Sequence, residues 1–148
     1  MSEPERIPMP PAVEAFLRKY NRTYWLTLRK DGSPTAHPMS GIYEEGRLAY
    51  TSYKRSIKNR NVDRDPRTCV LGVNGYGPES DSPQAVTLKG VAVILDGAGA
   101  PGRLGREQSE EESGGTNRAR TAIAAGRRAV IDIVPTELVG FTDQVRGV

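Results

Sequence analysis

The strongest chemical signal in the chain is a basic segment over residues 54–67. It carries six basic and two acidic side chains, a net charge of +4 in a chain whose total is +3. Lys58 and Arg60 lie near the start of the helix predicted here and Asp63 near its end, which opposes the helix macrodipole at both ends. A helix start capped by Ser56, with cations beside it, is typical of a phosphate or other anion site. A solvated basic helix fits the composition equally well.

Two single residues are the other candidates for chemistry. His37 is the only histidine, and a surface or half-buried position on a strand is its ordinary interpretation, with proton transfer as the alternative. Cys69 lies in an apolar stretch, so we expect a core residue rather than a nucleophile. One cysteine and one histidine exclude a disulfide framework and a zinc site of the usual composition. An enzyme without an evident acid, base or nucleophile can leave its chemistry to a bound cofactor.

A glycine-rich run over residues 97–102 fits the G-x-G-x-x-G pattern of dinucleotide sites. Such a site needs its glycines to open a helix inside a βαβ unit, and here Pro101 interrupts the run. Residues 97–116 have almost nothing to bury, so we predict a mobile loop there instead. A short helix over 117–125, ended by Gly126, is predicted to follow.

The elements that position these residues are predicted from apolar periodicity and turn signals. Four apolar residues recur at helical spacing: Val13, Phe16, Leu17 and Tyr20. Asp31-Gly32 between two β-rich segments predicts a hairpin. Pro38 indicates that part of the returning strand lies at a sheet edge or in a bulge. Gly90 indicates a bend or bulge in the strand predicted over 85–95, and Pro135 is expected to end the last strand. The predicted strands are 24–30, 34–43, 48–52, 68–73, 85–95 and 128–134, with helices near 10–20 and 56–63.

Length and composition favour one domain of mostly β structure. The chain has 148 residues, of which 36% are hydrophobic, enough for one modest core. Its 16 glycines and 11 prolines are too many for a helical bundle. No apolar run approaches the roughly 20 residues of a membrane span, and the N-terminus has no apolar signal core. We therefore predict a flexible arm over 1–9, one domain over 10–148, no membrane partner and a cytoplasmic location.

The stretch from Tyr24 to Val73 resembles the pyridoxamine 5'-phosphate oxidase-like family, which has the flavin-binding split-barrel fold. The pattern runs from Leu26 through Asp31-Gly32 to His37-Pro38, and continues with a glycine turn and a strand ending Tyr50-Thr51-Ser52. The basic segment contains a K-x-R-N-x-x-x-D-P-R run. That run looks most like the small actinobacterial branch that uses either FMN or the deazaflavin coenzyme F-420. The strands predicted over 85–95 and 128–134 also look like the family's later strands.

The resemblance implies a six-stranded antiparallel split barrel that forms a homodimer, with the cofactor in a groove at the dimer interface. The implied reaction is hydride transfer between bound coenzyme F-420 or FMN and a small organic substrate. By position, Ser56, Lys58 and Arg60 would hold the cofactor phosphate. The other implied cofactor-binding residues are His37, Pro38, Met39, Ser40, Thr51, Ser52 and Asn61. The second strand lacks the Arg and Lys of true pyridoxamine-phosphate oxidases, so vitamin-B6 oxidation is not expected.

Two alternatives stay open beside this reading. A protein of the same fold could carry flavin, deazaflavin or haem without turnover, because no residue in the sequence must do chemistry. A nucleic-acid-binding protein could use the basic helix, but Asp63 and Asp65 interrupt that helix and only Tyr50 and Tyr53 offer stacking surfaces beside it. We therefore expect no nucleic-acid partner.

Overall fold

The computed structural model describes residues 4–74, 84–95, 121, 123 and 126–142. The glycine-rich run over 97–102 and the predicted loop over 97–116 lie outside these residues, as does most of the helix predicted over 117–125. In chain order the elements are α1 (Pro11–Lys19), β1 (Arg22–Leu28), β2 (Pro34–Ser40), β3 (Ile42–Glu44), β4 (Arg47–Tyr53), α2 (Ile57–Arg64), β5 (Arg67–Val73), β6 (Ala85–Leu95) and β7 (Arg128–Thr142). Neither α1 nor α2 is long and apolar enough to cross a membrane.

The seven strands form one antiparallel sheet in the order β2-β1-β5-β6-β7-β4-β3. Its two edge strands, β2 and β3, follow each other in the chain with only Gly41 between them. Two edges joined by a single residue must lie close together, so the sheet curls into a half-barrel. Across its interior Trp25 of β1 stacks on Tyr50 of β4, with ring centroids 5.4 Å apart, and the Tyr50 hydroxyl hydrogen-bonds to Thr23 Oγ1. The predicted mostly-β antiparallel architecture with short helices is confirmed.

The predicted number of six strands is wrong, and Gly41 is the reason. The strand predicted over 34–43 divides at Gly41 into β2, which pairs with β1, and β3, which pairs with β4. Gly41 N donates to Asn21 O at 2.7 Å. A Cβ at Gly41 would lie 2.8 Å from Leu48 Cδ1, so a side chain at the point where the chain passes from one sheet edge to the other would require Leu48 to move.

The last strand is longer than predicted, because Pro135 does not end it. β7 continues to Thr142 and pairs with β6 along its length. Pro135 lies opposite Gly90, where the register of the two strands shifts. A Cβ at Gly90 would lie 2.1 Å from Val134 O, so the two backbones approach only because Gly90 has no side chain. The bend predicted at Gly90 is this irregularity in the ladder.

The N-terminal part of the chain packs onto the barrel. Helix α1 buries Val13, Phe16 and Leu17, as its apolar spacing predicted. Ahead of the helix, Ile7 N donates to Pro135 O at 2.9 Å, and Arg6 Nη2 donates to an Asp132 carboxylate oxygen at 2.7 Å. The described part of the segment predicted as a flexible arm is thus attached to β7.

Candidate functional site

Helix α2 is fixed to the barrel at its start and at its middle. Ser56 caps it as predicted, since Ser56 Oγ accepts a hydrogen bond from Asn59 N at 3.2 Å. The same oxygen lies 2.8 Å from Ser52 Oγ at the end of β4. One turn further, the buried Asn61 donates from Nδ2 to Thr27 Oγ1 of β1 at 2.9 Å. These contacts determine which side chains of α2 face away from the barrel interior.

A groove of about 660 Å³ lies between α2 and the β1–β2 hairpin, and we refer to it as the cationic groove. It is lined by Arg29, Thr35, His37, Ile57, Lys58, Arg60, Asn61 and Arg64. Four of these side chains are cations and none is acidic. The volume is within the range of small-molecule and cofactor sites. The lining therefore favours a ligand that carries negative charge.

The four cations of the groove form no salt bridge with any residue in the described ranges. Arg29 Nε donates to Thr35 Oγ1 at 2.7 Å, and Arg64 reaches Asn61 Oδ1 only at 3.4 Å. Asp65, the acid just beyond α2, is held by Arg67 at 2.7 Å, and that hydrogen bond lowers the pKa of Asp65. Arg29 and Arg64 are attracted by Asp31 and Asp65 without forming a salt bridge, so Lys58 and Arg60 are the cations whose charge is most available to a ligand.

His37 of β2 lines the cationic groove, and its ring contacts the hydroxyl of Thr27 on the neighbouring strand β1. Its Nε2 is 3.0 Å from the hydroxyl of Thr27, a residue that is 1% exposed. Burial, and to a smaller degree the charge of Lys58, lower the pKa of His37. The neutral imidazole is therefore the favoured form near neutral pH.

Cys69 is not a candidate nucleophile. It is half-buried on β5 and does not belong to the core that was predicted to contain it, because its neighbours Thr68 and Val70 are the residues that face inward. Burial raises the pKa of its thiol, which disfavours the reactive thiolate. The described ranges also contain no cluster of three or more side chains suited to bind a metal ion.

The cationic groove brings together four of the ten predicted site residues: His37, Lys58, Arg60 and Asn61. The other six are not part of its lining. On β2, Pro38 and Ser40 are exposed and Met39 packs against the core. Thr51 accepts a hydrogen bond from Arg128 Nη1 at 3.1 Å, while Ser52 and Ser56 anchor the start of α2. A contact of these six residues with a cofactor stays a prediction.

Sequence reasoning missed Arg29, Arg64, Thr35 and Thr27. Arg64 had a usable signal, because it follows Arg60 by four residues and so shares a helical face with it. Arg29 and Thr35 flank the correctly predicted Asp31-Gly32 hairpin, but the sequence does not show that this hairpin lies beside α2. Thr27 is an ordinary strand residue in sequence, and only its place beneath α2 makes it part of the site.

Comparison with known proteins agrees with this architecture. The chain matches the sequence profile of the family described as pyridoxamine 5'-phosphate oxidase over residues 9–140, which is most of its length. No curated protein sequence matches it.

Several solved structures are similar at low sequence identity. The conserved hypothetical protein Rv2991 from Mycobacterium tuberculosis is 20% identical with a TM-score of 0.66, over 93% of this chain and 87% of that protein. An F420 reductase is 22% identical with a TM-score of 0.60, over 92% and 100%. HutZ, the haem storage protein from Vibrio cholerae, is 12% identical with a TM-score of 0.59, over 92% and 94%. These likenesses establish a shared fold, and the profile match establishes more: the chain belongs to the pyridoxamine 5'-phosphate oxidase family.

Proposed function

We propose that this protein is an oxidoreductase that transfers a hydride between bound coenzyme F-420 or FMN and a small organic substrate. One observation carries the proposal: Arg29, Lys58, Arg60 and Arg64 face one groove that has no acidic lining residue. An F420 reductase with the same fold adds support. When bound, either cofactor supplies the hydride chemistry that no side chain of the chain supplies.

The cationic groove suits the anionic part of such a cofactor. Lys58 and Arg60 lie in the first turn of α2, and neither has an ion pair among the described residues, so a phosphate there would gain charge-assisted hydrogen bonds without displacing an acid. Arg29 and Arg64 add two further charges. Four cations match a phosphate with additional carboxylates better than a single phosphate, which favours coenzyme F-420 over FMN.

A carrier of flavin, deazaflavin or haem that does not turn over is the alternative, and HutZ has the same fold. Haem suits the groove least of these ligands. The chain has one histidine, and its Nε2 is engaged by Thr27, so iron ligation through that nitrogen would break the contact. Nucleic-acid binding gains no support, because Tyr50, one of the two aromatic residues considered for stacking, is buried in the core.

Binding titrations of FMN, coenzyme F-420 and haem, followed by absorbance, test the proposal directly. Lys58→Ala should weaken binding of the true cofactor by about 1.5–3 kcal/mol, the range for a hydrogen bond to a charged group. It should leave the melting temperature of the free protein nearly unchanged, because a cation in the first turn opposes the helix dipole.

Lys89→Ala is the matched control, since Lys89 is exposed on β6 and lies outside the groove lining. Riboflavin, which is FMN without its phosphate, should respond little to either substitution. Equal affinity of wild type and Lys58→Ala for all three cofactors would contradict the proposal. Tight binding without oxidation of the reduced cofactor by any of a panel of unsaturated or oxidised substrates would favour the carrier.

We also propose that the protein is a homodimer whose second subunit covers the surface beside the cationic groove. Ile57 is 65% exposed at the groove, and Tyr53, shortly before it in the chain, is 58% exposed. Burial of two large apolar side chains by a second copy would be favourable. Sedimentation equilibrium at micromolar concentration should give a dimer that Ile57→Glu weakens. A wild-type monomer under those conditions would contradict the proposal.

A further inference from the structure

Three side chains from three elements form a hydrogen-bonded relay that ends in the cationic groove. Asn61 Nδ2 of α2 donates to Thr27 Oγ1 of β1 at 2.9 Å, and the same oxygen lies 3.0 Å from His37 Nε2 of β2. Thr27 is 1% exposed and Asn61 is 4% exposed, so the contact between them is buried, whereas the contact of Thr27 with His37 is partly buried. We refer to this chain as the Asn61–Thr27–His37 relay.

The direction of each hydrogen bond in the relay follows from the next one. Arg64 Nη2 reaches Asn61 Oδ1 at 3.4 Å, so the Asn61 carbonyl faces Arg64 and its amide NH₂ faces Thr27. Thr27 Oγ1 thus accepts from Asn61, and donation to His37 Nε2 is the arrangement that gives the single proton of this buried hydroxyl a partner among the described residues. An imidazole that accepts at Nε2 while neutral carries its proton on Nδ1.

We propose that the Asn61–Thr27–His37 relay holds His37 as its Nδ1–H tautomer, so that His37 presents a fixed hydrogen-bond donor to the ligand of the cationic groove. The identity of that ligand rests on the proposed function. His37 lines the groove, and its Nδ1 has no hydrogen-bond partner in the described part of the chain. Thr27 and Asn61 act through His37 and are positioning residues, whereas His37 itself would contact the ligand.

The surroundings of His37 make this donor sensitive to bound anions. The charged side chains that line the groove together with His37 are all cations: Arg29 before the hairpin turn, and Lys58, Arg60 and Arg64 on α2. Lys58 is the one whose charge lowers the pKa of His37, after the larger effect of burial. The other lining residues, Thr35, Ile57 and Asn61, are uncharged, as are Thr27 and the Trp25 ring 6.2 Å away. Burial and Lys58 keep the free imidazole neutral. An anion in the groove would offset that repulsion, so binding should raise the pKa of His37 and strengthen as the pH falls.

The tautomer can be measured on the free protein, independently of any cofactor. His37 is the only histidine, so the imidazole signals in a proton–nitrogen correlation spectrum need no assignment. We expect the pattern of a ring protonated at Nδ1 in wild type and in Thr27→Ser. Thr27→Val keeps the shape and removes the hydroxyl, and it should lose the preference. A wild-type ring protonated at Nε2 would overturn the relay, and this spectrum decides the matter even if Thr27→Val does not fold.

The second arm adds saturating FMN and, separately, coenzyme F-420. We expect the Nδ1 signal to shift and the pKa of His37 to rise. His37→Phe should bind about three- to tenfold more weakly, the range for one neutral hydrogen bond. His37→Asn places an amide NH₂ near the position of Nδ1, so it should recover the affinity measured at high pH but lose its pH dependence.

The outcomes separate the two proposals. Binding detected by fluorescence without any change in the His37 signals would overturn donation by His37 and leave the proposed function standing. Failure of both cofactors to bind would refute the proposed function and the donation with it, whatever tautomer the free protein shows.

Discussion

Two regions of this protein use arginine in opposite ways. On β7 the buried Asp132 carboxylate, 2% exposed, is held by Arg6 at 2.7 Å and by Arg47 at 2.6 Å. In the cationic groove three arginines and a lysine face a common space with no carboxylate among its lining residues. Where folding itself neutralises the charge, the residues join elements of the fold. Where it does not, the charge is available to a ligand.

The Asp132 cluster joins three parts of the chain that are distant in sequence. Arg6 precedes α1, Arg47 begins β4, and Asp132 lies in the first third of β7. A buried ion pair is weak evidence of net stabilisation, but removing one partner leaves buried charge without compensation. The cations of the groove are mostly exposed, so water solvates them and the free protein tolerates their proximity. The two regions should therefore respond to different perturbations.

The largest expected effect is on stability, from Asp132→Asn. Loss of the carboxylate removes the charge-assisted hydrogen bonds of the partly exposed Arg6 and Arg47 and leaves these two cations close together, so the free energy of unfolding should fall by about 1.5–3 kcal/mol. Urea unfolding measures it. Asp65→Asn, at the exposed pair with Arg67, is the control and should change stability far less. If both substitutions have the same small effect, the claim that the Asp132 cluster stabilises the fold is wrong.

A smaller effect is expected from salt, which should weaken ligand binding at the cationic groove but change the stability contributed by the Asp132 cluster very little. Raising the ionic strength from 0.1 to 1 M should weaken binding of FMN or coenzyme F-420 about tenfold, because exposed charges are screened over a few ångströms at the higher concentration. The difference in stability between wild type and Asp132→Asn should change little, since buried pairs are screened much less. Isothermal titration and urea unfolding at both salt concentrations provide the comparison. Cofactor affinity that does not depend on salt would contradict the role of the groove.

The smallest effect concerns His37 in the free protein. Because its pKa is lowered by folding, the unfolded chain takes up the proton first as the pH falls below about 6.5. The stability linked to neutral His37 is thus fully present above that pH and is lost as the pH falls towards the folded-state pKa. Wild type should lose more stability between pH 7 and pH 5 than His37→Asn does. Parallel pH profiles for the two proteins would show that His37 is not held neutral.

The parts of the fold that depend on neighbouring residues could be predicted from the sequence. The Asp31-Gly32 hairpin forms between β1 and β2, with Gly32 at a φ of +85° that glycine adopts without strain. The Ser56 cap, the apolar face of α1 and the span of β6 follow from equally local rules. The basic segment contains five of the eight residues that line the groove, and it could be identified because charge is visible without knowledge of the fold.

The rest depends on pairings that only the complete sheet determines. Gly41 divides a strand because the segments on its two sides become the two opposite edge strands of the sheet, which no local pattern indicates. Pro135 is tolerated inside β7 because Gly90 of another strand lies opposite it. The contact between Asn61 and Thr27 joins residues 34 positions apart. Tertiary packing determines where these strands divide and end and which distant side chains meet. It can override what a proline or a polar side chain favours on its own.

The two prolines of β2 have a consequence for association between molecules. β2 is an edge of the sheet, and an exposed edge is a template on which a further strand can add. Pro34 and Pro38 pair with Leu28 and Tyr24 of β1. Neither proline has a backbone N–H that could donate a hydrogen bond to a strand from another molecule. Unregulated strand addition, and the aggregation that follows from it, is thus discouraged along β2 by the backbone itself, with no need for charged side chains there.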